Sequence, residues 1–137
     1  MGLGDGFTLG VVGSEPSELP YPTFPGVEPF DTLRTPEAER AHRKRMCALG
    51  YRIFGAMRWG QLGDGHVSAR DPIMTDHFWL LDWGVPFGEA TVDQLVLVGP
   101  DGHVTDTAGN PTGAVNTAGY NIHAPILAAR PDAVSAA

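Results

Sequence analysis

Three side chains with different chemistry alternate along residues 65–72, which read Gly-His-Val-Ser-Ala-Arg-Asp-Pro. They are the imidazole of His66, the hydroxyl of Ser68 and the guanidinium of Arg70. If residues 67–69 form a short strand, all three point to one face of it, because side chains in a strand alternate with a period of two. Such a set suits an oxygen-rich anion better than it suits a core, so this face is predicted to hold one.

Two further segments carry candidate site residues. Trp83 and Gly84 lie in a turn rich in Gly and Pro, where an indole could form the flat wall of a pocket. Residues 116–123, Asn-Thr-Ala-Gly-Tyr-Asn-Ile-His, open the last predicted helix and end in His123. Each of these residues also has a purely structural interpretation. For His123 it is that of a packed residue, because a helical histidine on an apolar face usually has that role.

Composition bounds the class of protein. The chain has 137 residues, which is one domain at most, and 9 basic against 16 acidic residues give a net charge of -7. That charge argues against nucleic acid or an anionic membrane as the main partner. Cys47 is the single cysteine, so no internal disulfide can form and a reducing, cytoplasmic setting is predicted. No apolar run reaches transmembrane length, and the N-terminus does not resemble a signal peptide.

The chain divides near residue 34. Residues 1–34 are rich in Gly and Pro with interleaved aromatics, and they predict either an extended arm, lying on a neighbouring subunit, or a disordered tail. A helix is predicted from Thr35-Pro36, because Thr is a good N-cap and Pro is favoured at the first helical position. Its apolar residues repeat at spacings of three and four and give one stripe: Met46, Leu49, Ile53 and Met57, widened by Cys47 and Phe54. The basic run at residues 43–45 is interpreted as a solvated face rather than a phosphate site.

The rest of the chain, after residue 72, alternates strand and helix signals. The predicted elements are a buried strand at 77–81, one helical turn capped by Thr91, a strand at 95–98, a hairpin partner at 103–105, a helix from 116 or 117 to 129, and the start of a further strand within 133–137.

The order of these segments resembles the class II aldolase/adducin family from about residue 36 to the end. The most specific part of the resemblance is Ile122-His123, followed by Arg-Pro-Asp at residues 130–132. It implies an α/β fold, namely an α/β/α sandwich with a mainly antiparallel central sheet, of which this chain holds the N-terminal portion as residues 35–137. It also implies a homo-oligomer, commonly a ring-shaped tetramer with sites between subunits.

The resemblance also implies a metal. Catalytic members bind a divalent ion through a His-x-His pair and a later His, and the ion stabilises an enediolate. The first of these ligands would follow directly after Ala137, so zinc or manganese would be held by residues outside this chain, in a longer polypeptide or a companion chain. The alternative is that the chain is a remnant without a metal. None of the five histidines present has His-x-His spacing.

Three positions depart from the sugar-phosphate aldolases of the family. Those enzymes have Asn where this chain has His66, Thr-Gly where it has Trp83-Gly84, and Ser-Ser-Glu where residues 117–119 read Thr-Ala-Gly. Trp offers no hydroxyl to a phosphate, and Gly119 cannot be a general base. The prediction is therefore a metal-dependent lyase, of decarboxylase or aldolase type, that cleaves or forms a carbon–carbon bond through a metal-stabilised enolate. Its substrate would be a hydroxylated carboxylic acid or an unphosphorylated carbonyl compound. A non-catalytic adducin-like binding or assembly module is the alternative.

Each candidate residue has an assigned role under the lyase interpretation. The catalytic candidates are His66, as proton donor or acceptor, and His123. The substrate-binding candidates are Ser68 and Arg70 as anion holders, Trp83 as a stacking wall, and Gly84, Thr117 and Gly119, the last giving room for close approach.

Overall fold

The computed structural model describes residues 33–137. This part of the chain forms helix α1 (Pro36–Met57), strands β1 (Ser68–Arg70), β2 (Phe78–Leu81), β3 (Leu95–Val98) and β4 (Val104–Thr105), helix α2 (Thr117–Ala129) and strand β5 (Ser135–Ala136). Two 3-10 turns, Phe87–Glu89 and Val92–Gln94, lie between β2 and β3. The arm predicted for residues 1–34 falls outside the described residues except for Leu33 and Arg34, and it stays a prediction.

The five strands form one sheet in the order β4-β3-β2-β1-β5, and every neighbouring pair is antiparallel. All four residues of β2 and of β3 are buried, because a helix covers each face of the sheet. Trp79 and Leu81 pack in one cluster with Cys47 and Tyr51 of α1. Phe78, Leu80 and Leu127 of α2 form the cluster on the opposite face. The predicted α/β/α sandwich with an antiparallel sheet is confirmed.

Both helices begin where the sequence places their caps. The Thr35 hydroxyl accepts a hydrogen bond from the Ala38 amide at 3.2 Å, and Pro36 is the first helical residue. The side chain of Asn116 caps α2 in the same way, through the Ala118 amide. No helix in this part of the chain is both long and apolar enough to cross a membrane.

The apolar stripe of α1 lies on the outer side of the helix, and not against the sheet. Met46, Leu49, Ile53 and Met57 are between 46% and 49% exposed, whereas Cys47, Ala48 and Tyr51 are buried. Periodicity identifies residues that share a face, but it does not say which face meets the core. The sheet is met by small and aromatic residues, because they let the helix lie close to the strands.

The interpretation of residues 43–45 as a solvated face is wrong for two of the three residues. Arg43 donates to Glu39 at 2.6 Å and to the backbone carbonyl of Arg70 at 3.1 Å. The Nζ atom of Lys44 lies 4.3 Å from the centre of the Trp79 ring, in cation–π contact. Arg45 is exposed, as predicted. The first two basic groups therefore fasten α1 to the sheet.

Candidate functional site

The alternating side chains of the β1 segment do lie on one face, as the period of two predicts. The Ser68 hydroxyl is 2.6 Å from Nδ1 of His123, and the ring of His66 meets the same His123 ring edge to face at 5.5 Å. Arg70 bonds to carbonyls at the end of α2, while Ala69 between them packs with the α1 cluster. This face is therefore covered by α2.

His66 lines a small cavity together with two other predicted residues, Trp83 and Gly84. Its free volume is about 20 Å³, which is room for about one water molecule. Burial lowers the pKa of His66 below its ordinary value, so the imidazole is neutral at pH 7. The structure thus brings a neutral imidazole and an indole together at one opening.

The indole of Trp83 packs closely against Gly63. A Cβ added at Gly63, whose φ is +81°, would lie 2.7 Å from the Trp83 ring. Only glycine accepts both this backbone conformation and this close approach. Trp83 also donates its backbone N–H to the Ala114 carbonyl at 3.1 Å, which ties the end of β2 to the segment that leads into α2. Trp83 is 55% exposed, so one side of the cavity wall that it forms is open to solvent.

Gly119 lies directly against the ring of His66. A Cβ added at Gly119 would lie 2.8 Å from Cδ2 and 3.1 Å from Cγ of that ring. The glycine at this position therefore makes room for the protein's own imidazole. A side chain at position 119 and an imidazole at position 66 exclude each other in this arrangement.

Replacing Gly119 by Ala is expected to destabilise the chain, although alanine in a helix is normally favoured over glycine by about 1 kcal/mol. The overlap with His66 outweighs that gain, and we expect a net loss of about 1–3 kcal/mol. Urea denaturation of Gly119→Ala, His66→Ala and the double variant measures it. In the His66→Ala background the same change should stabilise.

Gly88→Ala is the matched control, since a Cβ there meets nothing within 4 Å. Equal stability of Gly119→Ala and the parent chain, with no coupling to position 66, would contradict this account.

His123 and Ser68 stand behind His66 and away from solvent. Ser68 is fully buried and His123 is 2% exposed. Burial, and then the neighbouring His66, lower the pKa of His123 to about 4. A buried pair with a 2.6 Å hydrogen bond can fix the position of His66, and its catalytic assignment stays a prediction.

Arg70 lies apart from this cavity. Its guanidinium donates to the backbone carbonyls of Thr75, Leu127, Arg130 and Ala133. These contacts use four of the five N–H groups that a guanidinium offers, which leaves one for an anion. Arg70 therefore connects the end of α2 to β1. The last carbonyls of a helix have no partner within the helix, and Arg70 supplies donors to them.

Asn116 is a site residue that was predicted from the sequence only as the start of a helix. Its Nδ2 atom is 3.1 Å from Nε2 of His66 and 3.2 Å from the carbonyl oxygen of Gly63. It lines the same cavity. Its neighbour Thr117, predicted to bind substrate, is exposed and is not among the residues that line the cavity. No local signal in the sequence identifies this contact, because Asn116 and His66 are 50 positions apart.

No group of three or more His, Cys, Asp or Glu side chains within residues 33–137 could hold a metal ion. His66 and His123 are adjacent, but Nε2 of the first bonds to Asn116 and Nδ1 of the second to Ser68. The described residues therefore do not by themselves form a site for a divalent metal.

Residues 44–137 match the class II aldolase and adducin N-terminal domain. Since the match covers more than half of the sequence, the chain belongs to the class II aldolase and adducin family. The resemblance predicted from the order of the segments is confirmed. Proteins of this family typically use a divalent metal, bind small molecules and often form oligomers.

Individual relatives cover most of this chain. Alpha-adducin of Rattus norvegicus is 33% identical over 103 residues, which is 75% of this chain and 14% of alpha-adducin. The structure of L-fuculose 1-phosphate aldolase from Glaciozyma antarctica PI12 shares 38% identity, with a TM-score of 0.68 over 76% of this chain and 42% of that one. An aldolase II superfamily protein from Pseudomonas syringae shares 36% identity, with a TM-score of 0.60 over 70% and 38% of the two chains. The chain thus spans about one seventh of alpha-adducin and about two fifths of the solved structures.

Proposed function

We propose that this chain is part of a metal-dependent carbon–carbon lyase that acts on a hydroxylated carboxylic acid or an unphosphorylated carbonyl compound. The observation that carries the proposal is the cavity lined by the imidazole of His66 and the indole of Trp83, with Gly119 against the imidazole. A neutral imidazole can exchange a hydrogen bond or a proton with a substrate oxygen, and an indole face can support a flat, conjugated enolate.

The same observation disfavours a phosphorylated sugar as substrate. By the resemblance to the family, Trp83 and Gly84 stand where the sugar-phosphate aldolases have a phosphate-binding Thr-Gly pair, and neither offers a hydroxyl. Arg70, the basic residue of the β1 segment, uses most of its donors on backbone carbonyls. A carboxylate or carbonyl oxygen needs fewer donors than a phosphate does.

The metal and the assembly are proposals that rest on the family. We propose zinc or manganese as the ion, held by residues outside this chain, within a homotetramer. When bound, the ion would act as a Lewis acid toward the substrate. The cytoplasmic setting rests on the single, buried Cys47, whose pKa burial raises to about 12, which makes it a packed thiol and not a redox site.

Elemental analysis and intact mass of the purified native assembly test the proposal, together with assays for carbon dioxide and aldehyde release from a panel of 2-hydroxy and 3-hydroxy carboxylic acids. We expect a bound transition metal and turnover of at least one substrate. His66→Gln should lower that turnover at least about tenfold, because general acid–base groups contribute about 10²–10⁴-fold.

His103→Gln is the matched control, because the His103 side chain is 80% exposed in the β3–β4 hairpin. Thermal melts show whether each variant is folded. If the native assembly contains no transition metal and turns over none of the substrates, the lyase proposal is wrong.

A non-catalytic, adducin-like binding module is the second candidate. The exposed apolar stripe of α1, made of Met46, Leu49, Ile53 and Met57, favours it, since a contiguous apolar surface is typical of an interaction site. The similarity to alpha-adducin points the same way. A metal-free assembly of constant stoichiometry, inert to the whole substrate panel, is the result expected from this candidate.

A further inference from the structure

The amide of Asn116 has only one possible orientation. Its Oδ1 accepts the backbone N–H of Ala118 at 3.0 Å, and its Nδ2 donates to the carbonyl of Gly63 at 3.2 Å. A backbone N–H can only donate and a carbonyl can only accept, so each contact independently identifies which end of the amide carries the hydrogens. The Nδ2 atom is therefore a donor wherever it points.

That orientation determines which nitrogen of His66 carries the proton. The Nδ2 atom of Asn116 also lies 3.1 Å from Nε2 of His66. An amide NH₂ group has no lone pair to offer, so Nε2 must accept this hydrogen bond. In a neutral imidazole one ring nitrogen accepts and the other carries the proton. The proton of His66 is then on Nδ1.

We infer that Asn116 holds His66 as the Nδ1–H tautomer, and that this N–H donates a hydrogen bond to an anionic oxygen of the ligand, a carboxylate or enolate oxygen. The second part of this inference rests on the proposed function; the first does not. None of the described residues accepts a hydrogen bond from Nδ1 of His66. His66 therefore acts as a donor, and Asn116 is a positioning residue.

The charged form of the ring does not suit this position. Protonating Nε2 would set two donors against each other at 3.1 Å. The titratable groups around His66 are His123, across the edge-to-face contact, and Tyr51 and Asp82, which line the same cavity. Burial raises the pKa of Tyr51 to about 12, and Asp82 accepts the amide of Ala114 through Oδ1.

Asn116→Asp inverts the hydrogen bond without removing the helix cap, because Asp is as good an N-cap as Asn. A carboxylate can only accept, so His66 should change to the Nε2–H tautomer and its pKa should rise by at least about one unit. Two-bond proton–nitrogen NMR spectra of the labelled full chain report which ring nitrogen is protonated, and His66→Gln assigns the resonances. Asn121→Asp, an exposed change of the same charge on α2, should leave the His66 pattern as it is.

Formate is the probe for the donor role. Titration should move the Nδ1–H resonance of His66 in the parent chain and in Asn121→Asp, and should leave Asn116→Asp without a corresponding shift. A parent spectrum with the proton on Nε2 would overturn the tautomer assignment. If the proton is on Nδ1 but its resonance does not move when formate is added, the donor role is overturned. Both readouts are independent of turnover, so a failed search for lyase activity affects the proposed function alone.

Discussion

Asp71→Asn is expected to lower the free energy of unfolding by about 3–5 kcal/mol, the range for breaking a buried ion pair from one side. The Asp71 carboxylate is fully buried just after β1. It binds Arg40 of α1 with both oxygens, at 2.7 and 2.8 Å. It also accepts the amides of Ile73 and Met74 and the indole N–H of Trp79.

An asparagine in this position would fit in size but not in hydrogen bonding. One of the two oxygens would become an NH₂ group, which can only donate a hydrogen bond. It would then face another donor, which belongs to Arg40, to Trp79 or to a backbone amide of the loop. The charge of Arg40 would also lose its counter-ion. Urea denaturation near pH 7 measures the difference.

Asp132→Asn is the control, because Asp132 has the same kind of two-pronged contact with Arg130 but is exposed on the surface. It should change stability little, since exposed ion pairs contribute little. Similar effects of the two substitutions would contradict the assignment of Asp71 as the anchor between α1 and the sheet.

The contribution of Asp71 should also depend on pH in a definite direction. Burial raises its pKa, but the hydrogen bonds from Arg40, Met74, Ile73 and Trp79 together lower it below the ordinary value. A depressed carboxyl pKa gives stability that is present above pH about 4 and is lost as the pH falls further. The gap between the parent chain and Asp71→Asn should therefore narrow in acid.

The sequence predicted the elements of this fold well because their signals are local. The caps at Thr35 and Asn116, the buried strands at 78–81 and 95–98, and the shared face of His66 and Ser68 all follow from residues within a few positions of each other. The family resemblance then supplied the order of the layers, which no local signal contains.

The contacts that organise the site were not predictable in the same way, since they join residues far apart in the chain. Asn116 meets His66 across 50 positions, and Arg40 meets Asp71 across 31. For the same reason, the outward position of the α1 stripe, which begins at Met46, was not predictable from periodicity. Which side of a helix meets a sheet depends on the fit between two surfaces.

The buried histidine should make the protein lose stability in mild acid, before its carboxylates titrate. Burial and the nearby His66 lower the pKa of His123 to about 4, against about 6.5 in the unfolded chain. Between these values the unfolded chain binds a proton that the folded chain does not. The free energy of unfolding that the neutral form of His123 contributes is therefore fully present above pH about 6.5 and declines as the pH falls. By pH about 4 the loss amounts to about 3 kcal/mol.

His123→Asn removes the titration and keeps a polar group within reach of the Ser68 hydroxyl. Whatever its stability at pH 7, its stability should fall less than that of the parent chain between pH 6.5 and 4.5. Denaturant titrations at several pH values give the two slopes, and His103→Asn, on the exposed hairpin, should retain the parent slope. Identical slopes for the parent chain and His123→Asn would mean that His123 takes up its proton in the folded state as readily as in the unfolded one. Its burial between Ser68 and His66 would then have no bearing on acid stability.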